Sequence, residues 1–201
     1  MELTKTNFPK NALASIIEYS ISNLPFCKTT FNHFAMIYSS KGKTLKIYSY
    51  GYNHIRNNKS IHAEIDAINN LPNVTKKKKL VKVYLIVIRL TNKSNHGLKL
   101  QESKCCINCK ETICDLPQKR GFYISIVSYS NKLGQIETKH PVSLLLEKQY
   151  YISKYFSKRN YFPKIRHNII KNPNPKTKLF LLKRDYAELS SSDDSEEEFY
   201  L

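Results

Sequence analysis

Hydrophobic positions follow two different periods along the first three quarters of the chain. Ala12, Ile16, Tyr19 and Leu24 recur at helical spacing behind Asn7-Phe8-Pro9. They predict a helix to about Leu24, with Pro near its first turn. Phe31–Ser39 and Thr44–Tyr52 read as strands, and Lys41-Gly42-Lys43 between them as a hairpin turn. Ile61–Leu71 predicts a short helix ended before Pro72, followed by a basic loop over Thr75–Lys79. Leu80–Thr91 is rich in Val, Ile and Leu, the pattern of a central strand covered on both faces. Asn92–Lys104 is polar and reads as a loop with a short strand at Leu98–Leu100. A helix is expected over Ile107–Leu116, stopped at Pro117, then a strand over Phe122–Tyr129. An edge strand at Gln135–Thr138 and a short helix at Pro141–Glu147 complete the series.

Strands and helices alternate from about residue 30 to 147, which predicts an α/β layer fold. A hairpin followed by β-α-β-α-β implies a mixed sheet of about five strands with helices on both faces, a three-layer α/β/α arrangement. Beyond it the pattern dissolves. Residues 148–184 form a basic extension with interleaved Tyr and Phe and no sustained period. Residues 185–201 form an acidic tail whose Ser-acid run, Ser190–Glu198, has the composition of a disordered segment.

Charge changes this picture only in part. Among 201 residues there are 33 Lys and Arg against 16 Asp and Glu, a net charge of +17. All the cations precede Asp185, so the body is more basic than the total suggests. Such a surface attracts polyanions, RNA or single-stranded DNA among them. The cations are 27 Lys and only 6 Arg, however, and the Arg fork is what specific phosphate recognition favours. No apolar run approaches the ~20 residues of a membrane span. Residues 1–7 lack the apolar core of a signal peptide. An intracellular, cytoplasmic protein with no membrane segment is the expectation. In a reducing compartment, four cysteines within Cys105–Cys114 point to a metal or a reactive site before disulfides.

Two patches carry the chemistry, His62-Ala63-Glu64 and Cys105-Cys106-Ile107-Asn108-Cys109. Imidazole and thiolate are zinc ligands, and His62, Cys106 and Cys109 would leave the fourth tetrahedral position open, as in catalytic sites. Glu64, beside the metal but not bound to it, suits a proton shuttle. His62 and Glu64 are two residues apart and cannot share a helix face, so the arrangement needs a helix start. A Cys-x-x-Cys alone would also suit a structural zinc knuckle or a redox pair, but neither accounts for Glu64.

His-x-Glu followed by Cys-x-x-Cys resembles the zinc-dependent cytidine and deoxycytidylate deaminase-like family. The resemblance extends over about residues 8–146. Gly51-Tyr52-Asn53 stands where that family places a pocket Asn, Ser103 where it has the Ser of Ser-x-Pro-Cys, and Tyr129-Ser130 at a family-like strand end. It implies the cytidine deaminase-like fold, one zinc ion on His62, Cys106 and Cys109, and Glu64 as the catalytic carboxylate. It implies a substrate pocket with Asn53, Ala63, Ser103 and Cys105, and a pyrimidine nucleoside or nucleotide substrate. Bases within RNA or single-stranded DNA, or a silent zinc-containing nucleic-acid-binding module, are the alternatives. The family commonly forms homo-oligomers. Two features depart from its pattern: Cys105 replaces Pro, and 44 positions separate His62 from Cys106. Arg89, at the end of the central strand, suits either a phosphate or solvent.

Overall fold

The computed structural model describes residues 15–20, 32–41, 44–57, 59–74, 79–93, 97–148, 150–153, 158 and 162–172. The chain divides into two compact units, residues 1–161 and 162–201. The first holds eight described strands: β1 (Asn32–Lys41), β2 (Thr44–Tyr52), β3 (His54–Arg56), β4 (Lys59–Ile61), β5 (Val81–Lys93), β6 (Gly97–Gln101), β7 (Phe122–Ser130) and β8 (Ile136–Lys139). Its helices are α1 (residues 15–20), α2 (Ala63–Asn69), α3 (Ile107–Lys119) and α4 (Pro141–Leu145). The second unit contributes α5 (Lys164–Lys171).

The fold is α/β around a mixed six-stranded sheet in the order β2-β1-β5-β7-β8, with β6 also paired to β5. Only β5 and β7 run parallel, with α3 between them in sequence; the other pairs are antiparallel. Strand β5 explains its own composition. Val83, Leu85 and Val87 face one core with α2, α3 and α4, while Ile86, Ile88 and Leu90 face a second core with Ile16 of α1. A strand with two buried faces has no polar register to alternate with. Strand β7 reaches the same end by a bulge. Its register against β5 shifts between Val83 and Tyr84, so Phe122 and Ile124 before the shift share a core with Val127 and Tyr129 after it.

Several boundaries differ from the sequence expectation. Strands β3 and β4 pair antiparallel, so Ile61 belongs to a strand rather than to the helix expected to begin there. These three-residue strands are too short to show a period. Pro117 lies inside α3, which continues to Lys119. So near the end, Pro forgoes a single hydrogen bond, and its ring is buried. The helix stops instead at Gly121, whose φ of +86° gives the left-handed turn that ends many helices. Strand β5 extends to Lys93, two residues beyond its expected end, while β6 forms at the expected short strand Leu98–Leu100, one residue longer at each end, and returns along β5. Helix α5 occupies part of the extension in which no period was expected. Gly42 and Lys43 of the expected turn, most of the Thr75–Lys79 loop, Cys27 and the acidic tail lie outside the described residues. Among the described residues no helix is long and apolar enough to cross a membrane.

Candidate metal centre

His62 and Cys106 are the N-cap residues of α2 and α3, both with extended backbones. Cys109 stands three residues into α3, one turn from Cys106 and on the same side. The two helix starts therefore converge. His62 Nδ1 lies 3.5 Å from Cys106 Sγ and 3.3 Å from Cys109 Sγ, and the two sulfurs are 3.5 Å apart. These three donors form a group that could hold a metal ion.

The electrostatics suit a cation. The Cys109 and His62 hydrogen bonds pull the Cys106 thiol down to about 5 despite burial. The Cys106 bond and burial push the Cys109 thiol well up, so in the metal-free cluster one thiolate accepts from its neighbours. The bond to Cys106, reinforced by the Cys106 and Glu64 charges, raises the His62 imidazole. Positive helix ends beneath Cys106 favour the thiolate further.

Glu64 falls in the first turn of α2, buried to 5% exposure. It is not one of the three donors, yet its charge acts on His62, Cys106 and Cys109. The Cys105 thiol is hydrogen-bonded to it; burial first, then the Glu64 carboxylate, keeps that thiol protonated. Cys105 thus turns toward the carboxylate, and Cys106 is the ligand-cluster member. Ala63, between His62 and Glu64, is fully buried.

Helix α2 is seated by a close approach to β2. A Cβ on Gly51 would collide with the Ala67 nitrogen and come within 2.6 Å of the Ala63 oxygen. Ser49 Oγ donates to Ala67 O at 2.8 Å, and Asn70 Nδ2 to Tyr50 O at 3.1 Å. Tyr52 N donates to Asp66 Oδ2 at 3.2 Å. The helix thereby supplies partners to backbone groups of β2, the first strand in the sheet order.

The cysteine loop is fastened as firmly. Ser103 is buried; its hydroxyl donates to Val87 O at 2.7 Å and accepts from Ser130 N at 2.9 Å, while its own N–H donates to Ser130 O at 2.8 Å. The loop is thus tied to the adjoining ends of β5 and β7. Next to it, Glu147 receives Lys110 Nζ at 2.7 Å, Lys104 Nζ at 3.1 Å and Lys139 Nζ at 2.6 Å. Ile107 N, at the start of α3, donates to Tyr151 O at 2.8 Å. Tyr129 OH donates to Glu137 at 2.8 Å, fixing the end of β7.

Asn53 follows β2 and is exposed. Its Oδ1 accepts from His33 N at 2.8 Å. Cys114 stays outside the metal group, its thiol raised to about 12 by burial. Sequence reasoning missed Lys110, Glu147 and His33. A lysine within a helix and a carboxylate after one carry no local signal of their ion pair; only the tertiary fold brings them together.

Comparison with family models, with curated proteins and with solved structures finds no match to this chain.

Proposed function

We propose that the protein is a zinc-dependent hydrolytic deaminase acting on a cytosine-type base in a nucleoside or nucleotide. One observation carries the reading: an imidazole and two thiols converge at paired helix starts, with a buried carboxylate beside them and outside the ligand triangle. Zinc fits the triangle. Bond lengths of ~2.0–2.1 Å to nitrogen and ~2.3 Å to sulfur give tetrahedral edges of ~3.6 Å (N···S) and ~3.8 Å (S···S). The observed 3.3, 3.5 and 3.5 Å are within a few tenths of an ångström of these. Zinc held there would polarise a water in its open fourth position and lower the water pKa to about 7.

The chain's own residues do the rest. Glu64 takes a proton from the attacking water and passes it to the departing amino group. Water adds at the ring carbon, the carbon–nitrogen bond breaks, and ammonia leaves. The Cys105 thiol, donating to Glu64, orients the carboxylate. Because Asn53 Oδ1 is taken by His33 N, its amide NH2 is the end that meets substrate. Ala63 and the 103–105 loop wall the pocket, with Ser103 acting through the backbone it anchors. A second reading, a base within RNA or single-stranded DNA, is favoured by α5. This helix carries Lys164, Arg166, His167 and Lys171 without an acid, next to exposed Phe162.

The test follows ammonia release by zinc-loaded protein from cytidine, deoxycytidine, CMP, dCMP, adenosine and single-stranded DNA and RNA. Release from a cytosine substrate is expected, with kcat reduced by about 10²–10⁴-fold in Glu64→Gln. That variant keeps its zinc, whereas Cys109→Ala loses it. Silence of the zinc-loaded wild type across the panel, or undiminished turnover by Glu64→Gln, refutes the reading.

A further inference from the structure

Three thiols crowd one corner of the core, and only two of them belong to the metal group. Cys105, Cys106 and Cys109 are free cysteines, all buried in the layer shared by α2 and α3. The Cys106 and Cys109 sulfurs lie 3.5 Å apart and share a hydrogen bond. A disulfide needs about 2.05 Å between sulfurs and Cα atoms about 4.4–6.8 Å apart. Residues three apart at the start of a helix have Cα atoms about 5 Å apart, inside that window. Side-chain rotation has only to close about 1.5 Å, with no movement of the backbone. The surroundings are apolar, so an uncharged disulfide suits them as well as two thiols do.

The third thiol is not a competing partner. Cys105 is hydrogen-bonded to Glu64 instead. It also adjoins Cys106 in the chain, and neighbouring Cα atoms are about 3.8 Å apart, short of the same window. Cys106 and Cys109 cannot serve a metal and a disulfide at once. Zinc takes thiolates, and a disulfide sulfur brings no charge to it, so only His62 would remain of the donor group. Bound zinc, conversely, occupies the sulfur lone pairs and keeps the sulfurs about 3.8 Å apart. His62 is only half-buried, which leaves that corner of the group open to a molecule as small as peroxide.

We propose that Cys106 and Cys109 form a redox switch of the metal centre: in the metal-free chain hydrogen peroxide closes them into a disulfide that excludes zinc, and a thiol reductant reopens the site. One sulfur attacks the peroxide, so that an S–O bond forms, the O–O bond breaks and water leaves. The second sulfur then displaces the hydroxyl, forming the S–S bond, breaking the S–O bond and releasing a second water. The two sulfurs lose two electrons, the peroxide gains them, and both thiol protons end in water. The switch rests on zinc binding by the group and not on deamination.

The experiment exposes the full-length chain, metal-free and zinc-loaded, to hydrogen peroxide. In the metal-free protein two of the five thiols should disappear, with a mass loss of about 2 Da and a Cys106–Cys109 link in the peptide map. Zinc uptake should be lost with them, and dithiothreitol should restore both. The zinc-loaded protein should keep its thiols over the same exposure. Cys105→Ala should form the same link and Cys109→Ala none at the cluster, with far-UV circular dichroism showing that each variant is folded. A link from Cys105 to either neighbour, oxygen added to the sulfurs in place of a link, or full zinc uptake by the oxidised chain overturns the proposal. Ammonia release by a protein that forms no link would overturn the switch and leave the deaminase reading standing. A reversible link that excludes zinc, without ammonia release from the zinc-loaded protein, would do the reverse.

Discussion

Replacing Glu147 tests whether the ion-pair knot beside the cysteine loop holds the fold together. Lys104 and Lys139 are 36% and 37% exposed, so each can return to water when its partner is lost. Pairs this exposed contribute about 0–1 kcal/mol each. Lys110 is different: its side chain is 1% exposed, and Glu147, at 15%, lies 2.7 Å from its ammonium. Removing one partner of a buried pair strands the other charge, at a cost of about 3–5 kcal/mol. Glu147→Ala should therefore destabilise by about 3–5 kcal/mol at pH 7, and Glu147→Gln, which keeps an acceptor, by somewhat less. Lys110→Met removes the buried charge itself and leaves two lysines on Glu147, so it should cost less than about 1.5 kcal/mol. Urea unfolding at pH 7, followed by circular dichroism with unchanged m-values, measures each variant. Acid supplies a second arm. Burial opposes ionisation of Glu147, but the Lys110 and Lys139 hydrogen bonds prevail and hold its carboxyl below the usual range. A carboxyl depressed on folding contributes stability that is complete above the unfolded value of ~4.3 and lost as pH falls through the folded one. The gap between wild type and Glu147→Gln should thus be full at pH 7, begin to narrow as pH falls toward the unfolded value of ~4.3, and close only once pH is below the depressed folded value. A Glu147→Ala cost under 1 kcal/mol at pH 7, or a gap unchanged between pH 7 and 3, would show that Lys110 does not depend on this carboxylate.

Gly51→Ala drives a methyl into the backbone of α2, so a loss of at least about 1–3 kcal/mol is expected. Because α2 carries His62 and Glu64, zinc affinity should weaken along with thermal stability; wild-type values of both in a melt and a zinc titration would count against the close approach. Ser103→Ala leaves Val87 O and Ser130 N without their hydroxyl partner, at a cost of about 1–3 kcal/mol measured by urea unfolding. An effect under 0.5 kcal/mol would mean that the loop is fastened elsewhere.

The sheet was legible because its strands are long or apolar. Strand β5 announces itself by composition, and β1 and β2 lie within two residues of their expected limits. The α/β class and the mixed sheet followed from that alternation. The β3–β4 hairpin was hidden because its three-residue strands carry no period and are mostly exposed. The bulges in β2 and β7 were hidden for a related reason. A bulge moves side chains between faces without altering composition, so Tyr129 reaches the site face only through a register shift that hydropathy does not record. His62, Cys106 and Cys109 were legible as a spacing of residue types with a known chemical requirement, and the structure brings all three together. The Glu147 knot was not, because charge on a helix or loop reads as a solvated surface until the tertiary fold buries it.

The two departures from the deaminase-like pattern have one structural answer. The 43 residues between His62 and Cys106 include the whole of α2, the long β5 and its return strand β6. Strand β6 pairs with β5 at Arg89–Lys93, beyond the stretch Val81–Val87 that β7 pairs. Since β1 already covers Tyr84–Leu90 on the other side, β6 must lie on the β7 side and prolong that row. Its end at Gln101 brings the chain back beside Ser130, where Ser103 joins both strands. The return of β6 therefore delivers the cysteines to a fixed point rather than to a floppy loop. A Pro at position 105 would stiffen the approach to Cys106 by fixing φ. Here the stiffness comes from the Ser103 hydrogen bonds, the Lys104–Glu147 pair and the Tyr151 carbonyl on α3. With the approach held by these contacts, position 105 is released from its backbone duty, and a cysteine there can serve the neighbouring carboxylate instead.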